Sequence, residues 1–280
     1  MPATAGQALQ AARARLAAMS RNPRRDAEVL LAHLLGCDQT ALLTHPERLL
    51  SPAESDQFES LLKRRLANEP MQYITGSQEF FGLLFEVTPD VLIPRPETEH
   101  LVEAALEHIG PQANARIVDV GTGSGAIAVA LAHARPRSHV TAVDLSPAAL
   151  EVARRNAQRH GVLERVTFQQ SNLLASVDGA DFDVVASNPP YIAEGEVLEP
   201  QVSYYEPHSA LYSGPTGLEV YERLIPQARK VLKPQGWLLI EIGFGQQPAV
   251  EALLRGWPSV SVVHDLQGIP RVVQAMKGSG

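Results

Sequence analysis

From Arg116 onward, short apolar runs rich in β-branched residues alternate with stretches of helical periodicity, and this alternation narrows the possible folds more than any other feature of the chain. Arg116 to Val120, Val140 to Val143, Val166 to Gln169 and Val184 to Ala186 read as buried strands. Helices are expected over 124–134, 147–160 and 217–232. Lys233-Pro234-Gln235-Gly236 reads as a turn into a strand from Trp237 to Ile242, followed by a helix over 247–255 and strands near 260–264 and 271–276. Strands separated by crossover helices pair in parallel, and a parallel sheet needs helices on both faces. The last two strands, joined by a short Gly/Pro turn, form an antiparallel hairpin at one edge.

The first seventy residues have a different texture. Five arginines precede the first acid, Asp26, as in a transit peptide, but Leu9, Ala12, Leu16 and Met19 make an apolar helical face over residues 4–19, so an ordinary first helix is expected. Asn22 as cap, Pro23 at the first helical position and Gly36 as stop delimit a helix over 23–35. Ser51-Pro52-Ala53-Glu54 is a capping box opening a third helix, which Pro70 ends. Between these helices and the alternating half, Tyr73-Ile74, Glu79-Phe80-Phe81 and Leu84-Phe85-Glu86-Val87, punctuated by Gly76 and Gly82, suggest a β-hairpin. Val91 to Glu99 contains Pro94-Arg95-Pro96, a stiff extended stretch, and a helix follows over about 97–109.

Composition removes several functions. The 24 basic and 31 acidic side chains leave a formal net charge of −7, which disfavours a protein that lives on phosphate contacts with a duplex. Cys37 is the single cysteine, so an intramolecular disulfide and a thiolate metal cage are both excluded. The nine histidines are scattered without ligand spacing, and no metal is expected. Apolar runs fall short of a membrane span, and a cytoplasmic location is expected.

Chemistry gathers at two loops. Asp119-Val120-Gly121-Thr122-Gly123-Ser124-Gly125-Ala126 lies between the first sheet strand and its helix, where glycines allow a tight turn and let a ligand touch main chain beside the helix N-terminus. Asp144 ends the next strand, where a carboxylate accepts both hydroxyls of a ribose. Asn172 and Leu173, after the third strand, are candidates for an adenine pocket. Together these residues say adenosine without naming the adenosine cofactor. At the fourth strand comes Ser187-Asn188-Pro189-Pro190-Tyr191-Ile192. Consecutive prolines stiffen the loop and remove N–H donors, so their carbonyls stand with the Asn188 amide oxygen as acceptors, and Tyr191 offers a flat face. Such a pocket suits a planar –NH2 group with two protons to donate.

The order G-T-G-S-G, Asp144, N-P-P-Y resembles the class I S-adenosylmethionine-dependent methyltransferases that act on amino nitrogens. Gln72-Tyr73-Ile74-Thr75-Gly76, Glu79-Phe80-Phe81-Gly82, Leu92-Ile93-Pro94-Arg95-Pro96-Glu97-Thr98-Glu99, Glu206-Pro207 and Gly236 to Glu241 are similar to the release factor glutamine methyltransferase family. Asn172-Leu173 departs from the acid and bulky residue more usual there, and Gly268-Ile269-Pro270-Arg271 is a variant of the family's terminal turn. The resemblance implies an α/β, Rossmann-like class I methyltransferase sheet, mostly parallel with an antiparallel edge hairpin, behind a small N-terminal helical bundle and a β-hairpin linker. It implies residues 1–70 as the substrate-recognition domain, 71–95 as the linker and 96–280 as the catalytic domain.

In the implied reaction a methyl passes from S-adenosyl-L-methionine to the side-chain nitrogen of the glutamine in the Gly-Gly-Gln loop of class I peptide chain release factors, leaving S-adenosyl-L-homocysteine. Gly121, Thr122, Gly123, Ser124, Gly125, Asp144, Asn172, Leu173 and Asn188 are the expected cofactor-binding set. Asn188, Pro189 and Tyr191 are the expected catalytic residues, with Pro190 joining them against the substrate. Arg95 and Thr98 are expected to cover the cofactor. A glutamine on a ribosomal protein, an N6-adenine in nucleic acid and a non-catalytic adenosine-sensing module are the alternatives. Stable nucleic-acid binding is not expected.

Overall fold

The computed structural model describes residues 3–179 and 181–279. The chain divides into two compact units, one formed by residues up to Ser77 together with Leu198–Tyr205, the other by Gln78–Val197 and the chain from Glu206 onward.

The first unit is helical: α1 (Ala5–Leu16), α2 (Pro23–Leu35), α3 (Gln39–Thr44), α4 (Pro52–Leu66) and α5 (Met71–Thr75). Its ends follow local chemistry. Asn22 accepts from the Arg25 N–H, Pro23 opens α2, and Gly36 closes it at φ +61°. Ser51 and Glu54 form the reciprocal capping box of α4. Leu16, Leu30, Leu31, Leu50, Phe58 and Leu62 fill the core. Two expectations need correction. The six residues of α3 were not anticipated, although Asp38 caps them through the Ala41 N–H. Tyr73 and Ile74 lie in the single helical turn α5, not in a strand, because Gly76 at φ +72° closes the turn six residues after Pro70 and both side chains bury. The Leu198–Tyr205 stretch joins this unit through the Tyr205 hydroxyl, which donates to the Ala67 carbonyl at 2.7 Å, and through the Arg21–Glu199 ion pair.

The second unit opens with a hairpin of β1 (Ser77–Phe80) and β2 (Leu83–Glu86), turned at Phe81 and Gly82, both at positive φ. Then follow α6 (Glu99–His108), β3 (Arg116–Val120), α7 (Ala126–Ala134), β4 (His139–Asp144), α8 (Pro147–Arg159), β5 (Val166–Gln170) and β6 (Phe182–Ser187). After β7 (Ile192–Ala193) the chain runs through the short helices α9 (Pro200–Ser203) and α10 (His208–Leu211) to β8 (Tyr212–Gly214), which pairs in parallel with β7. It ends with α11 (Glu219–Val231), β9 (Leu232–Glu241), α12 (Gln247–Leu253), β10 (Ser259–His264) and β11 (Pro270–Met276). β7, α9, α10 and β8 are too short to leave a readable period in the sequence.

Seven strands form one sheet in the order β10-β11-β9-β6-β3-β4-β5. The strands from β9 to β5 pair in parallel, and β11 runs antiparallel to both its neighbours. One face carries Val102, Leu101, Leu131 and Val129 of α6 and α7, with Phe80 and Phe85 of the hairpin. Tyr221, Leu224, Ile225 and Val250 of α11 and α12 cover the other. The expected turn at 233–236 lies inside β9: the pairing with β6 jumps from Phe182↔Leu232 to Val184↔Trp237, and Gln235 takes φ +63°. Strand order reverses between β3 and β6, and in open α/β sheets the crevice at that switch point is where ligands bind.

Asn156 of α8, fully buried, fastens the hairpin to the glycine loop. Its Oδ1 accepts from the Glu86 N–H at 2.7 Å, and its Nδ2 donates to the carbonyls of Glu86 and Ser124, each at 2.9 Å. Asn156→Ala leaves these groups buried without partners and is expected to cost about 2–4 kcal/mol. Thermal or urea unfolding measures the loss, and a change within about 0.5 kcal/mol would show that water replaces the side chain.

Candidate active site

The loop after β3 is shaped by a buried acid. Asp119 is wholly inaccessible, and its Oδ2 accepts from the Thr122 hydroxyl at 2.6 Å and from the Ala128 N–H at 3.1 Å, so it caps α7 from beneath. Burial pushes its carboxyl up to about 7. Above it the backbone turns through Gly121 at φ +73°, Gly123 at φ +54° and Gly125 at φ +81°. A Cβ on Gly121 or Gly123 would meet nothing within 4 Å, so at both positions bare main chain faces open space. Gly125 is glycine for another reason, since its Cβ would stand 3.0 Å from that of Ala153 and force α7 off α8. The Gly121 and Thr122 N–H groups bond the Val143 carbonyl, which ties the loop to the end of β4.

Asp144 sits there, half-buried. One oxygen accepts from the Gly123 N–H and the other from the Ser146 N–H, both at 2.9 Å. Burial raises its carboxyl, and these N–H groups counter the rise. Ser146, not Asp144, caps α8, leaving the acid free to serve the crevice. The residues present therefore fit an adenosine cofactor: bare glycine backbone at the strand ends and a carboxylate held in place beside it. The Asn172 Oδ1 accepts from Arg223 at 2.5 Å. Leu173 takes φ +55° and packs against the core under α11.

Across the switch point, Ser187 donates to the Val120 carbonyl and anchors the end of β6. Asn188 follows, with its Nδ2 donating to the Thr98 hydroxyl at 3.0 Å. Among the described residues no donor reaches Asn188 Oδ1. Pro189 is buried and Pro190 half-buried. Tyr191 packs its ring against Gly243, where a Cβ would lie 2.9 Å from the ring. Burial pushes its phenol up to about 12, so it stays neutral. Arg95 pairs with the buried Glu206 at 2.5 Å, and the other oxygen of Glu206 accepts from the Ile93 N–H, which straightens the segment leading to Thr98. Among the described residues no group of His, Cys, Asp or Glu has the geometry of a metal site, and no helix is long and apolar enough to cross a membrane.

Residues 7–76 match the model of the PrmC N-terminal domain, and residues 98–203 match the methyltransferase small domain. The Release factor glutamine methyltransferase of Koribacter versatilis is 47% identical over 93% of this chain and 94% of its own. That of Geobacter sulfurreducens is 43% identical over 90% and 89%. This chain belongs to the release factor glutamine methyltransferase family. Among solved structures, a methyltransferase from Pyrococcus furiosus superposes with a TM-score of 0.53 at 21% identity, covering 79% of this chain and 99% of that one. The 16S rRNA N2 G1207 methyltransferase of Thermus thermophilus, solved with AdoMet and guanosine, gives 0.54 at 19% identity over 72% and 49%. These two likenesses speak for the fold.

The Asn188-Pro189-Pro190-Tyr191 loop is held by residues that the sequence motifs leave out. Gln246 is the hub. Its Nε2 donates to the carbonyls of Tyr191 at 2.9 Å and Gly217 at 3.3 Å, while its Oε1 accepts from the Gly243 N–H and the Tyr221 hydroxyl. Glu241 is buried at the end of β9, one position past Ile240, which pairs with Ser187. Thr98, expected to cover the cofactor, is buried and touches Asn188 directly.

Proposed function

We propose that this protein transfers a methyl group from S-adenosylmethionine to the side-chain nitrogen of the glutamine in the Gly-Gly-Gln loop of class I peptide chain release factors, in the cytoplasm. One observation carries the reading: Asn188 is held by its nitrogen, so that its oxygen is the free end of the amide, beside a proline carbonyl at the switch point of the sheet. The cofactor supplies an electrophilic methyl on a sulfonium. The glycine loop and Asp144 hold its nucleoside end, with Asn172 and Leu173 assigned to the adenine side. An amide nitrogen is a poor nucleophile because its lone pair is delocalised. Asn188 Oδ1 and the Pro189 carbonyl accept hydrogen bonds from its two N–H groups, orient it and favour its loss of planarity as the N–C bond forms and the methyl–sulfur bond breaks; one amide proton then leaves to water. Tyr191, neutral and flat, forms a wall of the slot.

The target glutamine sits on a loop of a larger protein, so most binding contacts lie away from the slot, and the helical unit is their assigned platform. Mass spectrometry after incubation with labelled methyl donor tests both statements. A gain of one methyl on the loop glutamine of intact release factor is expected, with a short Gly-Gly-Gln peptide a far poorer substrate. Methylation of nucleic acid or of a ribosomal protein in its place would overturn the assignment, and equal methylation of peptide and whole factor would remove the platform.

A further inference from the structure

Glu241 is an anomaly. It is buried to 3% exposure, its Oε2 has no hydrogen-bond partner, and no oppositely charged side chain forms an ion pair with it among the described residues. Buried carboxylates without partners are costly and rare unless they serve a purpose. The Thr98 hydroxyl lies beside its carboxyl group and favours the ionised form, and the same hydroxyl oxygen receives the Asn188 Nδ2 proton at 3.0 Å. Three buried or half-buried polar groups from three elements, the turn before α6, the end of β6 and the end of β9, thus form one chain that ends at the acceptor oxygen.

We propose that Thr98 and Glu241 are positioning residues that fix which end of the Asn188 amide faces the substrate. A hydroxyl has one proton and two lone pairs, and an ionised carboxylate only accepts. With Glu241 ionised, the Thr98 proton is committed to it, and the Thr98 oxygen can only accept from Asn188. The amide is then locked with Nδ2 inward and Oδ1 outward. An inverted amide would set Oδ1 against the Thr98 lone pairs and offer the substrate N–H groups another N–H. Once Glu241 is protonated it donates to Thr98, the Thr98 proton then needs an acceptor in Asn188 Oδ1, and the inverted amide, which turns an N–H toward the substrate, becomes the favoured one. The inference rests on Asn188 as the substrate acceptor.

The groups facing Glu241 are Glu97 and Arg95 before α6, Arg271 on β11, Tyr191 after β6 and Tyr221 on α11. The two tyrosines stay neutral, both raised by burial. Burial outweighs the arginines and pushes Glu241 up to about 7. The lock is therefore set above that pH and released below it.

The test compares kcat and KM for intact release factor at pH 6 and pH 8. Wild-type kcat is expected to rise about tenfold across that span, as a group of pKa about 7 requires, with KM little changed. Glu241→Gln cannot titrate and is expected to flatten the rise to within about twofold. Thr98→Ser keeps the hydroxyl and should retain most of kcat, whereas the isosteric Thr98→Val should lose about tenfold or more. A packing role for Thr98 predicts the opposite order, with valine the milder change. A persistent acid limb in Glu241→Gln, or valine outperforming serine, overturns the proposal even though wild type methylates the factor. Wild type that methylates no glutamine at either pH overturns the functional reading instead. The side-chain amide resonances of Asn188 in the free protein then judge the lock alone: a shift with midpoint near pH 7 that Glu241→Gln abolishes supports it, and invariance refutes it.

Discussion

Asn188→Ala is expected to lower kcat by about 10²–10³-fold, the cost of losing one preorganised polar group aimed at developing charge. The affinity for S-adenosylhomocysteine should change little, because the proposed reading assigns the nucleoside end to Asp144 and the glycine loop, at the ends of β4 and β3 rather than of β6. The geometry makes the prediction specific. Asn188 is anchored by Nδ2 on Thr98, so alanine removes the acceptor without releasing Ser187 from Val120 or Tyr191 from Gln246, and the loop keeps its shape. Asn188→Asp is the sharper variant. It restores an oxygen toward the substrate, but the second oxygen now faces the Thr98 hydroxyl with no proton to give, and a charge is added in a half-buried slot. Activity below that of Asn188→Gln at every pH would fit this account. Single-turnover methylation of intact release factor is the measurement, and wild-type kcat in Asn188→Ala would remove Asn188 from the reaction.

What the sequence made legible is what local chemistry decides. Asn22, Pro23 and Gly36 bound α2 where a cap, a fixed φ and a left-handed stop belong, and Ser51 with Glu54 does the same for α4. The strands of the parallel sheet were legible because both faces bury, which leaves continuous apolar runs. The glycine loop and the Asn188-Pro189-Pro190-Tyr191 loop were legible because each is a contiguous motif at the end of a readable strand. The supports of the site were not. Asn156 meets Glu86 seventy residues away, Thr98 meets Asn188 ninety residues away, and Gln246 reaches back to Tyr191. Those distances are closed by sheet order and register, which no periodicity within a window of a few turns encodes. Leu198–Tyr205 shows the same limit at larger scale. Nothing in its composition says that a stretch shortly after the acceptor loop belongs with the N-terminal helices, because the Tyr205–Ala67 bond and the Arg21–Glu199 pair are tertiary facts.

At the other end of the crevice, Asp144→Ala is expected to raise the Kd for S-adenosylhomocysteine by about 100-fold, since hydrogen bonds to a charged acceptor contribute roughly 1.5–3 kcal/mol each and a ribose diol can make two. Two causes could produce that loss. On the proposed reading the acid accepts from the ribose, and it also accepts from the Gly123 N–H and the Ser146 N–H, so its removal frees the glycine loop. Asp144→Asn separates them. Its amide oxygen can still accept from Gly123, which keeps the loop, but its NH2 end meets the ribose as a donor and carries no charge. If loop order dominates, the asparagine variant binds nearly as well as wild type. If ribose recognition dominates, it binds almost as poorly as the alanine variant. The second outcome is expected, because the Gly121 and Thr122 N–H groups already tie the loop to the Val143 carbonyl and Asp119 holds it from below. Calorimetric titration of both variants reads the difference. A similar loss of affinity for a 2′,3′-dideoxy analogue in wild type would assign the energy to the hydroxyls themselves.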